Sequence, residues 1–320
     1  VMLLALGLFT ASNLISVVTD SFAVLLVARA LPAFLHPVYV SMAFTVAAQS
    51  VSPEEAPKAI SKVFVGVSAG MVLGVPVTSF ITSHASFAVA MCFFAAVNAV
   101  VLLATLCCVP SLPVRERLSY GAQLGVLRKP VVWYSVIAFT LINGAMFGFF
   151  SFMSDYLNKV TGFPFDTISA LLLVYGLANI AGNILAGKLF SRNKQRYMIV
   201  TPLVMLAGYL LLFMFGAAPA AAGALILLLG LLAGFINIVG QYMISNAASE
   251  APDFANGLFL TAANFGTMAG TALCGAFITV AGTRYSLAGT LLFLALSLLF
   301  VLARCYTTYK LDKNLKTSEL

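Results

Sequence analysis

Apolar runs separated by short polar breaks organise the whole chain. A run of about 20 apolar residues spans a bilayer as a helix. Lipid offers no partner to the backbone, so each run must satisfy its own amides, and the weak two-residue alternation disfavours a β-barrel. The pattern therefore predicts ten membrane-crossing helices, at 1–18, 22–49, 58–81, 87–109, 131–157, 166–189, 197–215, 223–246, 254–280 and 285–305.

Composition supports the same interpretation. Of the 320 residues, 62% are hydrophobic and only 8% are charged, whereas a soluble domain carries roughly 25% charged residues. We therefore expect an all-α membrane protein. The five cysteines lie in or beside apolar runs without metal-ligand spacing, so we expect no disulfide, no metal site and no cofactor.

The positions of Lys and Arg predict the orientation of the chain in the membrane. Nearly all of them fall on one side of the predicted spans, including the solvated C-terminal basic stretch from Arg304 to Lys316, and the other side has only Lys159 and Arg284. By the positive-inside rule the basic side is cytoplasmic, which places both termini in the cytoplasm. Topology thus explains the net charge of +7 without nucleic acid as a partner.

The longest polar break, 110–130, divides the chain unequally, with four predicted spans before it and six after it. A twelve-helix protein made of two six-helix halves gives this asymmetry when its first two helices are missing, so we expect a chain truncated at its N-terminus. The predicted organisation is a partial N-terminal bundle (1–109), a cytoplasmic central loop (110–130), a C-terminal six-helix bundle (131–305) and a cytoplasmic tail (306–320).

Glycines at close to four-residue spacing mark one span in each part of the chain. Small residues at this spacing form a flat helix face that lets another backbone approach closely in lipid. We interpret the two stretches as the same helix of an internal repeat. They are Gly66, Gly70 and Gly74, with Pro76 beyond them, and Gly266, Gly270 and Gly275.

Further motifs lie in the second span and after the sixth. The second span contains a stretch from Leu26 to Pro37 whose characteristic residue is Arg29. A degenerate Gly-x-x-x-Asp-Arg pattern follows the sixth span, with Ser191 at the Asp position. Its other members are Gly182, Gly187, Lys188 and Arg192.

Together these motifs resemble the major facilitator superfamily, in the drug:proton antiporter branch that includes bacterial arabinose, sugar and purine efflux permeases. The Arg-led stretch is similar to the fourth-helix signature of that branch, with Pro32 and Ala33 where the signature has Gln and Gly. The glycines of the third span are similar to its fifth-helix antiporter signature, with Met71 and Val75 in place of Pro and Gly. The resemblance implies a twelve-helix carrier that exchanges a solute for protons.

Arg29 and His36 are the candidate proton-coupling residues. They lie seven residues apart, so they share a helix face. Arg29 lies inside the predicted span, where a cation exposed to lipid costs at least about 2.5 kcal/mol. The face is therefore expected to turn inward, where Arg29 tunes a carboxylate on the missing first helix and His36 itself exchanges protons. The alternative is structural, with Arg29 bound to backbone carbonyls and His36 a packing residue.

Neutral polar side chains at mid-span depth form the predicted substrate cavity. Pro32 and Pro37 free backbone carbonyls around His36 and favour a cavity beside Tyr39. Amides and phenols bind hydroxyl-rich or heterocyclic ligands without burying charge, although each residue alternatively serves as a hydrogen bond between helices. The second half contributes Asn143, Tyr175, Asn179, Asn237, Gln241 and Asn264.

We therefore expect a monomeric secondary transporter of the bacterial inner membrane, whose partners are protons, the lipid bilayer and a small polar or amphipathic solute such as a sugar, nucleobase or drug. Proton-coupled efflux is the leading interpretation, and uptake is the alternative because the fifth-helix signature is altered. An intramembrane lipid-modifying enzyme requires a cluster of acids or histidines, and a passive channel requires a ring of polar residues. Neither pattern is present, so we predict that the chain is not an enzyme.

Overall fold

A computed structural model describes residues 2–19, 21–52, 54–109, 124–190 and 193–318, apart from a few helical side chains, and every regular element in these ranges is helical. This confirms the predicted all-α fold class. Two short 3-10 helices, Val126–Arg128 and Thr283–Tyr285, accompany ten α-helices in the described ranges. These are α1 (Met2–Val18), α2 (Phe22–Gln49), α3 (Ala56–His84), α4 (Phe87–Cys108), α5 (Pro130–Lys159), α6 (Phe165–Leu189), α7 (Lys194–Phe215), α8 (Pro219–Ala247), α9 (Pro252–Ala281) and α10 (Ser286–Ser318).

The helices match the predicted spans in number and order. The largest difference is at the C-terminus, where α10 continues to Ser318, so the backbone of the predicted tail is helical as far as that residue. The predicted central loop lies largely outside the described residues, because the description resumes at residue 124 and α5 begins at Pro130.

Eight of the described helices are long and apolar enough to cross a membrane. The two others are α1, which is apolar but has 17 residues, and α3, which has 29 residues and whose side chains are described only in part. Large apolar side chains such as Phe22, Phe34 and Val280 are exposed along the helices, as expected where a helix surface meets lipid. The chain is therefore a multi-pass membrane protein.

The chain folds into two compact units. The first unit consists of Val1–Val46 and Gly70–Leu118, and the second of Ala47–Ala69 and Ser119–Leu320. The second unit thus contains the predicted C-terminal bundle together with the first half of α3. The boundaries fall within α2 and within α3, so each of these helices contributes residues to both units.

In the first unit, α1 packs along α4. The side chains buried in these two helices are mostly small, which lets the two backbones lie close together without a large apolar core. They include Ala5 and Leu6 of α1 and Ala90, Met91 and Ala95 of α4.

In the second unit, α5 packs against α9 and α10, and α8 packs against α6 and α7. The α5–α9 crossing brings glycine backbones into direct contact. A Cβ atom added at Gly270 would lie 1.9 Å from the Gly144 carbonyl oxygen, and one at Gly144 would lie 2.6 Å from the Gly266 carbonyl oxygen. This confirms that Gly266 and Gly270 form a close-packing face.

A second glycine crossing joins α6 to α8. A Cβ atom at Gly182 would lie 2.0 Å from the Leu231 carbonyl oxygen, and one at Gly234 would lie 2.4 Å from the Asn179 carbonyl oxygen. Gly230 approaches the backbone of α6 in the same way, with the Tyr175 carbonyl oxygen at 2.7 Å. The middle of α8 is therefore held against α6 by backbone contact.

The α5–α9 crossing leads to the first prediction. Replacing Gly270 by Ala places a methyl group inside the Gly144 carbonyl contact, so the helices must separate, and overpacking of this kind costs about 1–3 kcal/mol. We expect a lower thermal midpoint in detergent, measured by fluorescence-detected size-exclusion chromatography. The matched control is Gly257→Ala in the same helix, where an added Cβ meets no described atom within 4 Å. Equal midpoints for the two variants would contradict the prediction.

Candidate functional site

The predicted proton-coupling residues lie on α2, in the first unit, and both side chains are exposed. The Arg29 guanidinium donates to the Met91 sulfur on α4. The His36 ring lies edge-on to Phe9 of α1, with 6.3 Å between ring centroids. Within the described ranges neither side chain forms an ion pair with a carboxylate. Their role in proton coupling stays a prediction.

Tyr39 lies three residues beyond His36 on the same helix and is half-buried. The helix runs from Phe22 to Gln49 through both Pro32 and Pro37 without interruption. The described backbone therefore has no break beside His36, and the cavity predicted there stays a prediction.

Asn143 joins two helices of the second unit. Its side-chain amide donates to the Ala263 carbonyl oxygen at 2.7 Å and to the Thr267 hydroxyl at 3.1 Å, both on α9. The residue is only 2% exposed and lies beside the Gly144 crossing. In this structure Asn143 forms hydrogen bonds between α5 and α9, which is the alternative role considered for it above.

Asn179 belongs to a polar cluster between α3 and α6. Its side-chain oxygen accepts hydrogen bonds from the Ser68 hydroxyl at 2.6 Å and from the Asn183 amide at 3.1 Å. Asn183, which the sequence analysis missed, is fully buried, and its own side-chain oxygen has no donor among the described residues. Its position four residues after Asn179, on the same helix face, was the available signal.

Tyr175 lies one turn before Asn179 on α6. It is buried, and its ring packs at a tilt against Phe150 of α5 with 5.3 Å between centroids. The phenol is therefore part of the contact between α5 and α6 in this conformation.

Two predicted cavity residues on α8 differ in their surroundings. Gln241 is 2% exposed, and its amide donates to the side-chain oxygen of Asn256 and to the Ser245 hydroxyl, the latter at 3.2 Å. The Gln241 side-chain oxygen has no donor in the described ranges. Asn237, one turn earlier, is half-buried and makes no hydrogen bond to any described residue.

Asn264 on α9 is exposed and also lacks a hydrogen-bond partner in the described part of the chain. The structure therefore separates the predicted amides into two groups. Asn143, Asn179 and Gln241 are engaged with other helices or with their own helix, whereas the side chains of Asn237 and Asn264 have no hydrogen-bond partner among the described residues.

The antiporter-like glycines show no close contact. Around Gly66, Gly70 and Gly74 no described atom lies within 4 Å of an added Cβ. The backbone of Pro76 belongs to α3, but its side chain lies outside the described residues. The packing role of these four residues stays a prediction.

Three residues of the degenerate loop signature, Gly182, Gly187 and Lys188, lie within α6 and not in a connector, because the helix ends only at Leu189. Gly182 is in the α6–α8 crossing, and a Cβ at Gly187 would lie 2.2 Å from the Ser61 hydroxyl oxygen on α3. Lys188 is exposed in the last turn, where a cation is favoured by the helix dipole. Arg192 lies outside the described residues.

The structure corrects the assignment of Arg304 to the solvated tail. This residue lies within α10 and is only 3% exposed. Its Nε donates to the Ser135 hydroxyl of α5 at 2.8 Å, and an Nη donates to the Asn246 side-chain oxygen of α8 at 3.1 Å. Longer contacts of 3.4 Å reach the Met198 sulfur of α7 and the Met243 carbonyl oxygen of α8. One guanidinium thus joins four helices.

Arg284 has a related role at the other end of α10. Its Nη donates to the Phe213 carbonyl oxygen at 2.8 Å, next to the C-terminus of α7. The Tyr156 hydroxyl donates to the Leu212 carbonyl oxygen at 2.9 Å, and the Thr161 hydroxyl to that of Gly216 at 2.8 Å. Three side chains from other elements therefore bind carbonyls at the end of α7, where that of Leu212 also accepts from the Gly216 backbone N–H.

The ion pairs in the described ranges lie at helix ends. Lys129, just before α5, pairs with Glu250 between α8 and α9, and Asp155 pairs with Lys159 at 3.7 Å in the last turns of α5. In the same part of the chain, no three His, Cys, Asp or Glu residues form a group that could hold a metal ion.

Comparison with family models and curated proteins identifies the family. A model described as Major Facilitator Superfamily matches residues 1–251. The uncharacterized MFS-type transporter YtbD of Bacillus subtilis is 31% identical over 285 residues, which is 86% of this chain and 71% of that protein. A probable sugar efflux transporter of Helicobacter pylori (strain G27) is 24% identical, over 87% of this chain and 71% of its own length. The inner membrane transport protein YdhP of Escherichia coli O157:H7 is 26% identical, over 88% and 72%.

Solved structures show the same fold. The human organic anion transporter MFSD10 has a TM-score of 0.75 at 17% identity, and the match covers 94% of this chain and 76% of that one. The Escherichia coli fucose:proton symporter FucP has a TM-score of 0.76 at 15% identity, covering 95% and 83%. With the family model matching most of its length, the chain belongs to the major facilitator superfamily and is a multi-pass membrane transporter.

Proposed function

We propose that the chain carries out proton-coupled efflux of a small polar or amphipathic solute, such as a sugar, nucleobase or drug, by alternating access. The observation that carries this proposal is the state of Asn237 and Asn264. Each is a neutral amide within a membrane-crossing helix, and neither is bonded to another described residue. An amide with free donors and acceptors in such a place is suited to a hydroxyl or heterocyclic nitrogen of a ligand.

Neutral lining groups favour a neutral solute. Burying an ion requires a compensating charge, whereas an amide and a hydroxyl satisfy each other at much lower desolvation cost. The Helicobacter pylori relatives named as probable sugar efflux transporters support the sugar class and the outward direction.

Proton coupling is assigned to α2. Arg29 supplies a positive charge, and His36, seven residues further on, is the side chain to which we assign proton exchange. Both side chains are exposed in the first unit, and neither forms an ion pair with a described carboxylate.

The proposed setting is the bacterial inner membrane, with a monomeric chain and both termini in the cytoplasm. The relative YdhP is named as an inner membrane protein. The orientation rests on the Lys and Arg distribution, and it does not depend on Arg304, because Lys188, Lys194 and Arg196 occupy the same predicted side.

The proposal predicts the effect of removing Arg29. In energised everted membrane vesicles we expect the protein to accumulate radiolabelled lactose or adenosine, and a protonophore to abolish the accumulation. Arg29→Ala should reduce protonophore-sensitive accumulation to the level of empty vesicles, because the charge that tunes the proton-binding group is lost. Arg284→Ala, which removes an exposed arginine at a helix end, is the control and should retain transport. Undiminished accumulation by Arg29→Ala would refute the coupling role, and accumulation in right-side-out vesicles would indicate uptake.

The two classes of amide predict opposite effects of substitution. Asn237→Ala removes a ligand contact, so the KM of the transported probe should rise about two- to tenfold, given that a neutral hydrogen bond is worth about 0.5–1.5 kcal/mol. Asn143→Ala removes two hydrogen bonds to α9 and should instead lower the thermal midpoint with little change in KM. Transport kinetics and thermal unfolding of both variants check this, and the reversed pattern would overturn the assignment of Asn237 to the ligand.

A further inference from the structure

Arg304 joins the end of α8 to the rest of the second unit. We propose that Arg304 is a positioning residue that fixes the C-terminal end of α8 and thereby sets the place of Asn237 and Gln241, without touching the solute. This inference rests on the proposed function only in its effect on solute binding. The position of α8 itself can be measured without any solute.

Arg304 contacts a buried residue of α5 and the last turns of α8. In α5, the Ser135 hydroxyl donates to the Val131 carbonyl oxygen at 2.8 Å, so the lone pairs of the hydroxyl oxygen can accept from Arg304 Nε. Ser135 is fully buried in α5. In α8, Arg304 binds Met243 and Asn246, which lie in the last turns before the helix ends at Ala247.

The charge of Arg304 suits the end of a helix. Carbonyl groups at a helix C-terminus carry partial negative charge, and a cation beside them is favoured. No ion pair to Arg304 is present among the described residues, whose two ion pairs involve other side chains. The partial negative charge at the end of α8 therefore faces the Arg304 guanidinium, in the place that a carboxylate takes in the two ion pairs.

A second fixed point on α8 makes the position of its end matter for the site. Gly230 and Gly234 hold the middle of the helix against the backbone of α6. Asn237 and Gln241 lie between this crossing and Met243, about 9 Å and 3 Å before that residue at 1.5 Å per residue. Both amides thus lie between two fixed points of α8, and Gln241 also binds Asn256 of α9. Loss of the Arg304 contacts removes one of these restraints and lets the segment shift.

The experiment compares Arg304→Gln with Arg284→Gln in the reconstituted protein. Both variants remove one arginine that binds a main-chain carbonyl near a helix C-terminus, but Arg284 contacts α7 and not α8. The first readout is the rate of maleimide labelling of Asn237→Cys, in a background without other cysteines. We expect Arg304→Gln to raise this rate about tenfold or more, because a hydrogen bond from a charged donor is worth about one power of ten or more. Arg284→Gln should leave the rate unchanged.

The second readout is the kinetics of radiolabelled lactose transport with Asn237 intact. A residue that positions the binding amides should raise KM with little change in maximal rate, whereas a general loss of folded protein lowers the maximal rate alone. If no variant transports lactose while the labelling result holds, lactose is excluded as a solute and the positioning role stands. Equal labelling rates for Arg304→Gln and Arg284→Gln would overturn the positioning role.

Asn246→Asp provides a test in a protein that keeps Arg304. Asn246 is exposed, so a carboxylate at this position is ionised and lies within hydrogen-bond distance of the guanidinium. We expect a raised thermal midpoint and slower labelling at position 237, and both effects should vanish in the double variant with Arg304→Gln. If Arg304→Gln does not reach the membrane, Asn246→Asp alone tests the positioning role of Arg304. Unchanged labelling at position 237 in Asn246→Asp would contradict that role.

Discussion

Lipid offers no hydrogen bond to a polar group, and this constraint explains the arrangement of the second unit more fully than its apolar packing does. Each backbone satisfies itself by forming a helix, and side chains from other elements bind carbonyls near the helix ends. Tyr156, Thr161 and Arg284 bind the final carbonyls of α7, and Arg304 binds the end of α8. The polar residues of the unit therefore cluster at the places where helices end or cross.

The same constraint gives the glycines their role. Between helices in lipid, association depends on close van der Waals contact, because the surrounding solvent is as apolar as the side chains. The α5–α9 and α6–α8 crossings achieve this with Gly144, Gly270, Gly182 and Gly234, each facing a backbone atom of the other helix. Asn143 lies beside one crossing and Asn179 beside the other. Close backbone approach and amide hydrogen bonding thus occur together, and each fixes the other's geometry.

Much of the fold could be predicted from the sequence, because helix formation in lipid depends on local hydrophobicity alone. The ten spans were predicted on that basis, and the close-packing face at Gly266 and Gly270 was predicted from the spacing of its glycines. The surroundings of individual polar residues were not, because they depend on which helices become neighbours. Arg304 shows the reason most clearly. Its position near a chain end is typical of a solvated cation, and only the approach of Ser135 and Asn246 from distant parts of the sequence makes it a buried one.

The amides show which part of a transport site a sequence can and cannot reveal. Asn143 and Asn237 look alike along the chain, since each is an amide at mid-span in an apolar helix, and the difference is whether a carbonyl of another helix lies within reach. Gln241 and Asn183 are intermediate, because each donates hydrogen bonds while its buried oxygen has no described donor. An acceptor left in that state costs about 1–3 kcal/mol. A conformation that supplied a donor, from a solute or from water, would be stabilised by a similar amount. Groups with this imbalance can therefore couple the arrangement of the helices to what is bound between them.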